Sequence, residues 1–85
     1  MHESGMIRAL IATARAEATR RGGLLRGIHV RLGALAGGSP EHLREHLEIE
    51  ARALGLGGLE LHLTQAPDRP TGVELTAIEL SEPSP

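Results

Sequence analysis

The sequence predicts one α+β domain, a two-layer sandwich with two helices packed on one face of a three-stranded mixed sheet. Two stretches repeat apolar residues at helical spacing, and three alternate apolar and polar residues. Their order is helix, strand, helix, strand, strand. A strand–helix–strand unit forms a right-handed crossover, so the first two strands are expected to be parallel. We expect a single domain over residues 1–80 and a disordered tail over 81–85.

The first helix is predicted over residues 4–21, with Ser4 as N-cap and Gly22-Gly23 as its end. Residues 1–3 are then a short free lead-in. The predicted buried stripe comprises Ile7, Leu10, Ile11, Ala14 and Ala18.

The first strand is predicted over residues 25–35, where Ile28, Val30 and Leu32 alternate with His29 and Arg31. Such alternation indicates a sheet covered on one face only. A Gly37-Gly38 turn follows. Ser39 as cap and Pro40 at the first position then begin a second helix, which runs to about Leu54. Its predicted stripe is Leu43, Leu47, Ala51 and Leu54.

The second strand is predicted over residues 59–64, with three alternating leucines toward the core, and the third over 73–80. The short 66–72 connection favours an antiparallel direction for strand three relative to strand two. Val73, Leu75 and Ala77 share one face, but Ile78 and Leu80 break the alternation. This break predicts a bulge near Ala77 or a partly covered second face.

Composition excludes several classes of function. The chain has no Cys, which rules out disulfides, thiolate zinc sites and Cys nucleophiles. The absence of aromatic residues and a net charge of -2 argue against nucleic-acid binding. There is no apolar run of membrane-spanning length and no signal-peptide core, so a cytoplasmic protein is expected. The small aliphatic core makes a homo-oligomer a further expectation.

Met1-His2-Glu3 is the candidate metal site. Met1 is expected to be retained before the bulky His2, leaving a free α-amine beside an imidazole. The amine, the His2 amide and ring nitrogens and the Glu3 amide could complete a square around one ion. Planar nitrogen ligands of this kind suit Ni(II) or Cu(II).

Two histidine pairs are further candidate sites. His42 and His46 match H-x-x-E-H, a pattern of inverted zinc peptidases, but a peptidase also needs a third ligand and a cleft. The pair is therefore interpreted as the polar flank of a helix, or as an auxiliary metal contact. His29 and His62 are expected on the open face of the sheet, close together if strands one and two are neighbours; a solvated surface is the favoured interpretation. No catalytic constellation is found, so the protein is not expected to be an enzyme.

Three stretches of the sequence combine into a recognisable pattern: Met1-His2-Glu3 leading into a helix, GIHVRLGALAGGSPEHL at residues 27–43, and the closing strand GVELTAIEL at residues 72–80. In these three stretches the chain resembles the HypA/HybF family of nickel-incorporation metallochaperones. The family's zinc-binding segment, with two Cys-x-x-Cys pairs, is missing. Residues 67–71 stand in its place, so no zinc site of that type is expected.

The resemblance implies nickel binding at Met1, His2 and Glu3. It implies delivery to a nickel enzyme precursor such as the large subunit of a nickel–iron hydrogenase, with a maturation GTPase as partner. A site acidic residue of some members, near the start of the second helix, has no clear counterpart. The alternative is an interaction or adaptor module that kept the fold after losing the zinc segment.

Overall fold

A computed structural model describes residues 3–33, 40–66, 68 and 72–81. The five elements are α1 (Glu3–Arg20), β1 (Leu24–Gly33), α2 (Pro40–Ala53), β2 (Glu60–Ala66) and β3 (Val73–Ser81). The predicted α+β class and the order of elements are confirmed. Both helices pack on one face of the three-stranded sheet and leave the other face, here called the open face, uncovered.

The strands lie in the order β2-β1-β3. β1 pairs with β2 in parallel, as the crossover rule predicts, and with β3 antiparallel. β3 therefore runs against β2 as expected, but it is the neighbour of β1. β1 is the central strand, and its side chains are the ones that meet both neighbours.

The core lies between the helices and the covered face of the sheet. The predicted stripe of α1 is buried throughout. On α2 Leu43, Leu47 and Ala51 are buried, while Leu54, one residue beyond the end of the helix, is half-buried. Ile28, Val30 and Leu32 of β1 are at most 2% exposed and form the floor of this core. Burying these aliphatic side chains is the main favourable contribution to folding.

Both helices end in a Schellman motif with glycine in the left-handed region. For α1, Gly23 N–H donates to Ala18 O and Gly22, at φ 74°, donates to Thr19 O. The start of α1 differs from the prediction. The helix already includes Glu3, so Glu3 is not part of a free lead-in, and Ser4 lies inside the first turn rather than at the N-cap.

Two bulges adjust the β1–β3 ladder. Val30 pairs with Leu75 and His29 with Ala77, so Thr76 is an extra residue on β3; its hydroxyl donates to His29 O at 3.2 Å. The bulge predicted near Ala77 is confirmed. Ala77, however, pairs with His29 on the open face, so its predicted place beside Val73 and Leu75 is wrong. A second irregularity leaves Arg26 of β1 without a ladder partner on β3.

Several predictions concern residues outside the described ranges: Met1 and His2, the Gly37-Gly38 turn, the Ser39 cap, two loop prolines and residues 82–85 of the tail. β3 extends to Ser81, the first residue assigned to that tail. Within the described ranges, neither helix combines the length and hydropathy needed to cross a membrane.

Candidate metal-binding sites

The first candidate, Met1-His2-Glu3, lies at the start of α1. Met1 and His2 are outside the described residues, and Glu3 is the first helical residue. The first four N–H groups of a helix have no intrahelical acceptor, so the Glu3 amide nitrogen is not committed to the helix ladder. A terminal chelate needs an amide nitrogen that is free in this way. The Glu3 amide meets that need although Glu3 belongs to the helix and not to a free lead-in.

An ion pair fixes this part of α1 against α2. Arg8 donates through Nε and Nη2 to Glu50 Oε1 at 3.3 and 3.2 Å, and the Glu50 residue is only 6% exposed. Two turns later, Arg15 donates to Leu54 O at 3.1 Å. These contacts advance in the same direction on both helices. The helices are therefore parallel, and the start of α1 lies at the same end of the domain as the start of α2.

His42 and His46 lie near that end, one turn apart on α2. Their rings meet edge to face with centroids 6.1 Å apart. Glu45 and Ile49 line a shallow groove of about 210 Å³ with them. The described side chains contain one group of three possible metal ligands that lie close together. His42 and His46 do not belong to it.

That three-donor group lies on the open face. His29 of β1 stands beside His62 of β2, its partner in the parallel ladder. Two residues earlier, Gly27 of β1 stands between Glu60 of β2 and Glu79 of β3. Two imidazoles and two carboxylates thus occupy adjacent rows. We call His29, His62 and Glu79 the open-face triad.

The triad is compact. The imidazoles of His29 and His62 stack with centroids 4.4 Å apart and planes inclined by 12°. Glu79 Oε2 lies 2.9 Å from His29 Nε2 and 3.6 Å from His62 Nε2. One ligand atom from each of the three residues lies within 4.8 Å of the other two. One divalent ion could therefore reach all three after small side-chain rotations.

Gly27 leaves the space that the carboxylates occupy. A Cβ atom at this position would stand 3.0 Å from Glu79 Oε1 and 3.2 Å from both Glu60 Cβ and Glu60 O. Any larger residue would push the two carboxylates apart or displace the β2 backbone. The Gly27 position in the central strand is thus part of what lets Glu60 and Glu79 approach the histidines.

The surroundings of Glu79 favour its carboxylate form, which is the form that binds a metal ion. The hydrogen bond with His29 is the largest cause that holds the pKa of Glu79 below its ordinary value; the charges on His62, His29 and Arg26 act in the same direction. Arg26 Nε binds Glu60 Oε2 at 2.8 Å, which leaves Glu79 as the carboxylate facing the rings. His62 Nε2 is buried and makes no hydrogen bond to the described residues.

The sequence placed His29 and His62 together on the open face, and the structure confirms their adjacency. The sequence did not indicate that Glu79 and Glu60 lie beside these two histidines. Glu60 reaches this face through the parallel pairing of β2 with β1. The approach of Glu79 depends on β3 pairing with β1 and on the Thr76 bulge, which brings Glu79 to the open face. The alternation break at Ile78 was the one available signal, and it indicated a bulge without indicating which strand lay opposite.

No protein-family model matches the sequence, and no curated protein is significantly similar to it. The described residues define a small α+β domain in which His29, His62 and Glu79 form one group of possible metal ligands on the open face of the sheet.

Proposed function

We propose that this chain is a nickel-binding metallochaperone or accessory protein for the maturation of a nickel enzyme, such as a nickel–iron hydrogenase. It binds Ni(II) through the Met1 amine, the His2 amide and imidazole, and the Glu3 amide. The observation that carries the proposal is the position of Met-His-Glu directly at the start of a helix that begins at Glu3. An α-amine and an imidazole with free amides between them form the planar nitrogen set that Ni(II) favours.

The assembly of the three HypA/HybF-like stretches supports the proposal. The first runs into α1, the second spans β1 and the start of α2, and the third forms β3. β1 and β3 are paired neighbours in the sheet. The stretches that carry the resemblance thus belong to one packed unit, joined further by the Arg8–Glu50 ion pair.

In this proposal the protein hands its ion to an apoenzyme precursor with the help of a maturation GTPase, and performs no chemistry itself. A terminal chelate suits transfer, because its donors lie at the end of the chain and an incoming ligand can approach without unfolding the domain. The chain has no Cys, so nickel binding here proceeds without a thiolate zinc segment.

Nickel titration by calorimetry tests the proposal, with two proteins whose N-termini have been verified by mass spectrometry. One begins at Met1; the other carries the additional residues Gly-Ser-Gly-Ser-Gly before Met1, which places the new α-amine too far from His2 to share a chelate with it. The extension removes the α-amine from the chelate and leaves all five His side chains in place. The native chain is expected to bind one Ni(II), and the extended chain to lose most of that affinity.

His42→Gln serves as a matched control, because it removes an imidazole near the same end of the domain but outside the chelate. Equal nickel binding by the native and extended chains would overturn the terminal site. Absence of nickel binding by the native chain would favour the adaptor interpretation instead. Transfer is then measured as nickel incorporation into an apo-hydrogenase large subunit, which His2→Gln should abolish.

A further inference from the structure

We propose that the open-face triad of His29, His62 and Glu79 is a second metal site, which takes a borderline divalent ion of the Zn(II) class. It is separate from the terminal nickel chelate and uses none of its donors. Two imidazole nitrogens and one carboxylate oxygen are ordinary ligands of Zn(II), and they leave a fourth position for water.

The donor atoms of the triad lie close enough together to reach one ion, although the two rings must reorient to bind it. With Zn–N bonds of about 2.0–2.1 Å, two imidazole nitrogens on a tetrahedral ion stand roughly 3.3 Å apart. The candidate donors here lie within 4.8 Å of one another. The nearly parallel rings must splay so that both lone pairs point at one ion. They have room to do so, because the His29 and His62 side chains are 38% and 41% exposed.

Three features distinguish the triad from an ordinary polar surface. His62 Nε2 is buried without a hydrogen bond to the described residues, 3.6 Å from Glu79 Oε2 and 3.9 Å from Glu60 Oε1. Gly27 keeps clear the space beneath the carboxylates. Arg26 pairs with Glu60, so the shortest contact that an entering ion must displace at Glu79 is the 2.9 Å contact with His29.

The donors come from all three strands. His29 lies on the central strand, His62 on β2 and Glu79 on β3, so a bound ion ties both edge strands to β1. Because an ion that binds only the folded state raises stability by mass action, loading this site is expected to raise the melting temperature of the domain. With three protein ligands and an open position, the site suits an exchangeable ion.

Zn(II) titration of the N-terminally extended chain tests the inference, because that chain lacks the terminal chelate. Binding of one Zn(II) is expected, with at least tenfold weaker affinity in Glu79→Gln and in His62→Gln. His42→Gln is the matched control and should bind like its parent. In NMR spectra of the extended chain without substitutions, Zn(II) should shift the ring resonances of His29 and His62 and leave those of His42 and His46 in place.

The NMR measurement needs no substitution, so it decides the matter even where a variant loses its fold. Failure of the extended chain to bind Zn(II) at 1:1 stoichiometry would overturn the second site, as would unchanged binding in His62→Gln or shifts confined to His42 and His46. Because nickel binding at the terminus is measured with the native chain, either proposal can fail while the other stands.

Discussion

Replacing Arg8 with alanine removes the ion pair that fixes the first half of α1 against α2. Glu50 is the one charged residue among the buried ones described, at 6% exposure. Both contacts from Arg8 go to the same oxygen, Oε1, at 3.2 and 3.3 Å. Without Arg8 the carboxylate stays in its buried position and loses its charged donor.

The expected loss of stability follows from the exposure of the two partners. A hydrogen bond to a charged group contributes about 1.5–3 kcal/mol when its partner stays buried and unpaired. The Arg8 side chain is 62% exposed and the Glu50 side chain 8%, so water can partly replace the arginine. We therefore expect Arg8→Ala to lower the free energy of unfolding by about 1–2 kcal/mol. For a domain of this size that lowers Tm by roughly 4–16 °C.

Urea denaturation of a double-mutant cycle measures the pair directly. The cycle comprises Arg8→Ala, Glu50→Gln and the double variant. Arg15→Ala is the matched control, since Arg15 is on the same helix and donates to an exposed carbonyl oxygen. A coupling energy of about 1 kcal/mol is expected between Arg8 and Glu50. A coupling energy of less than about 0.3 kcal/mol would refute the claim that this pair fixes the helix, because substitutions at independent sites deviate from additivity by about as much.

Three further predictions concern the sheet, the core and the surface. Gly27→Ala should destabilise the domain by about 1–2 kcal/mol in urea denaturation, because the added Cβ would meet Glu79 and the β2 backbone. Gly58→Ala is the control: its Cβ would lie in open space, so its free energy of unfolding should stay within about 0.5 kcal/mol of the parent. Leu47→Ala, at a fully buried position, should lower the unfolding free energy by about 2–5 kcal/mol in the same assay. The hydrogen bonds from Arg20 and Arg21, together with the charges of these two residues, lower the pKa of Glu17 from 4.5 to about 2. Because this pKa is lower in the folded state, the ionised Glu17 stabilises the folded protein above pH 4.5, and this stabilisation is lost as the pH falls toward 2. Glu17→Gln should therefore make Tm depend less on pH between pH 4.5 and 2.

The helices and strands were predictable because each is encoded by local periodicity. The stripe from Ile7 to Ala18 repeats at helical spacing, and the alternation around Val30 repeats at strand spacing. The parallel pairing of β1 and β2 followed from the handedness of crossovers. The periodicity rule needs only residues near one another in the sequence, and the crossover rule needs only the helix that connects the two strands.

The missed features depend on contacts between distant residues. Glu50 reads as a polar helix position, yet it is buried because Arg8, 42 residues earlier, meets its carboxylate. Glu79 reads as one more acidic strand residue, yet it faces His29 because β3 pairs with β1 and not with β2. The length of a connection limits the direction of a strand but does not choose its neighbour, so the triad could not be completed from the sequence.

The bulge at Thr76 marks where β3 can change length without changing which residues it buries. Removing one residue at 76 or 77 would restore plain alternation, with Leu75 and Ile78 still on the covered side and Glu79 on the other. Removing Glu74 would instead turn Val73 outward. We therefore expect single-residue deletions within this strand, in natural variants or in deletion libraries, to be tolerated at residues 76–77 and selected against on either side.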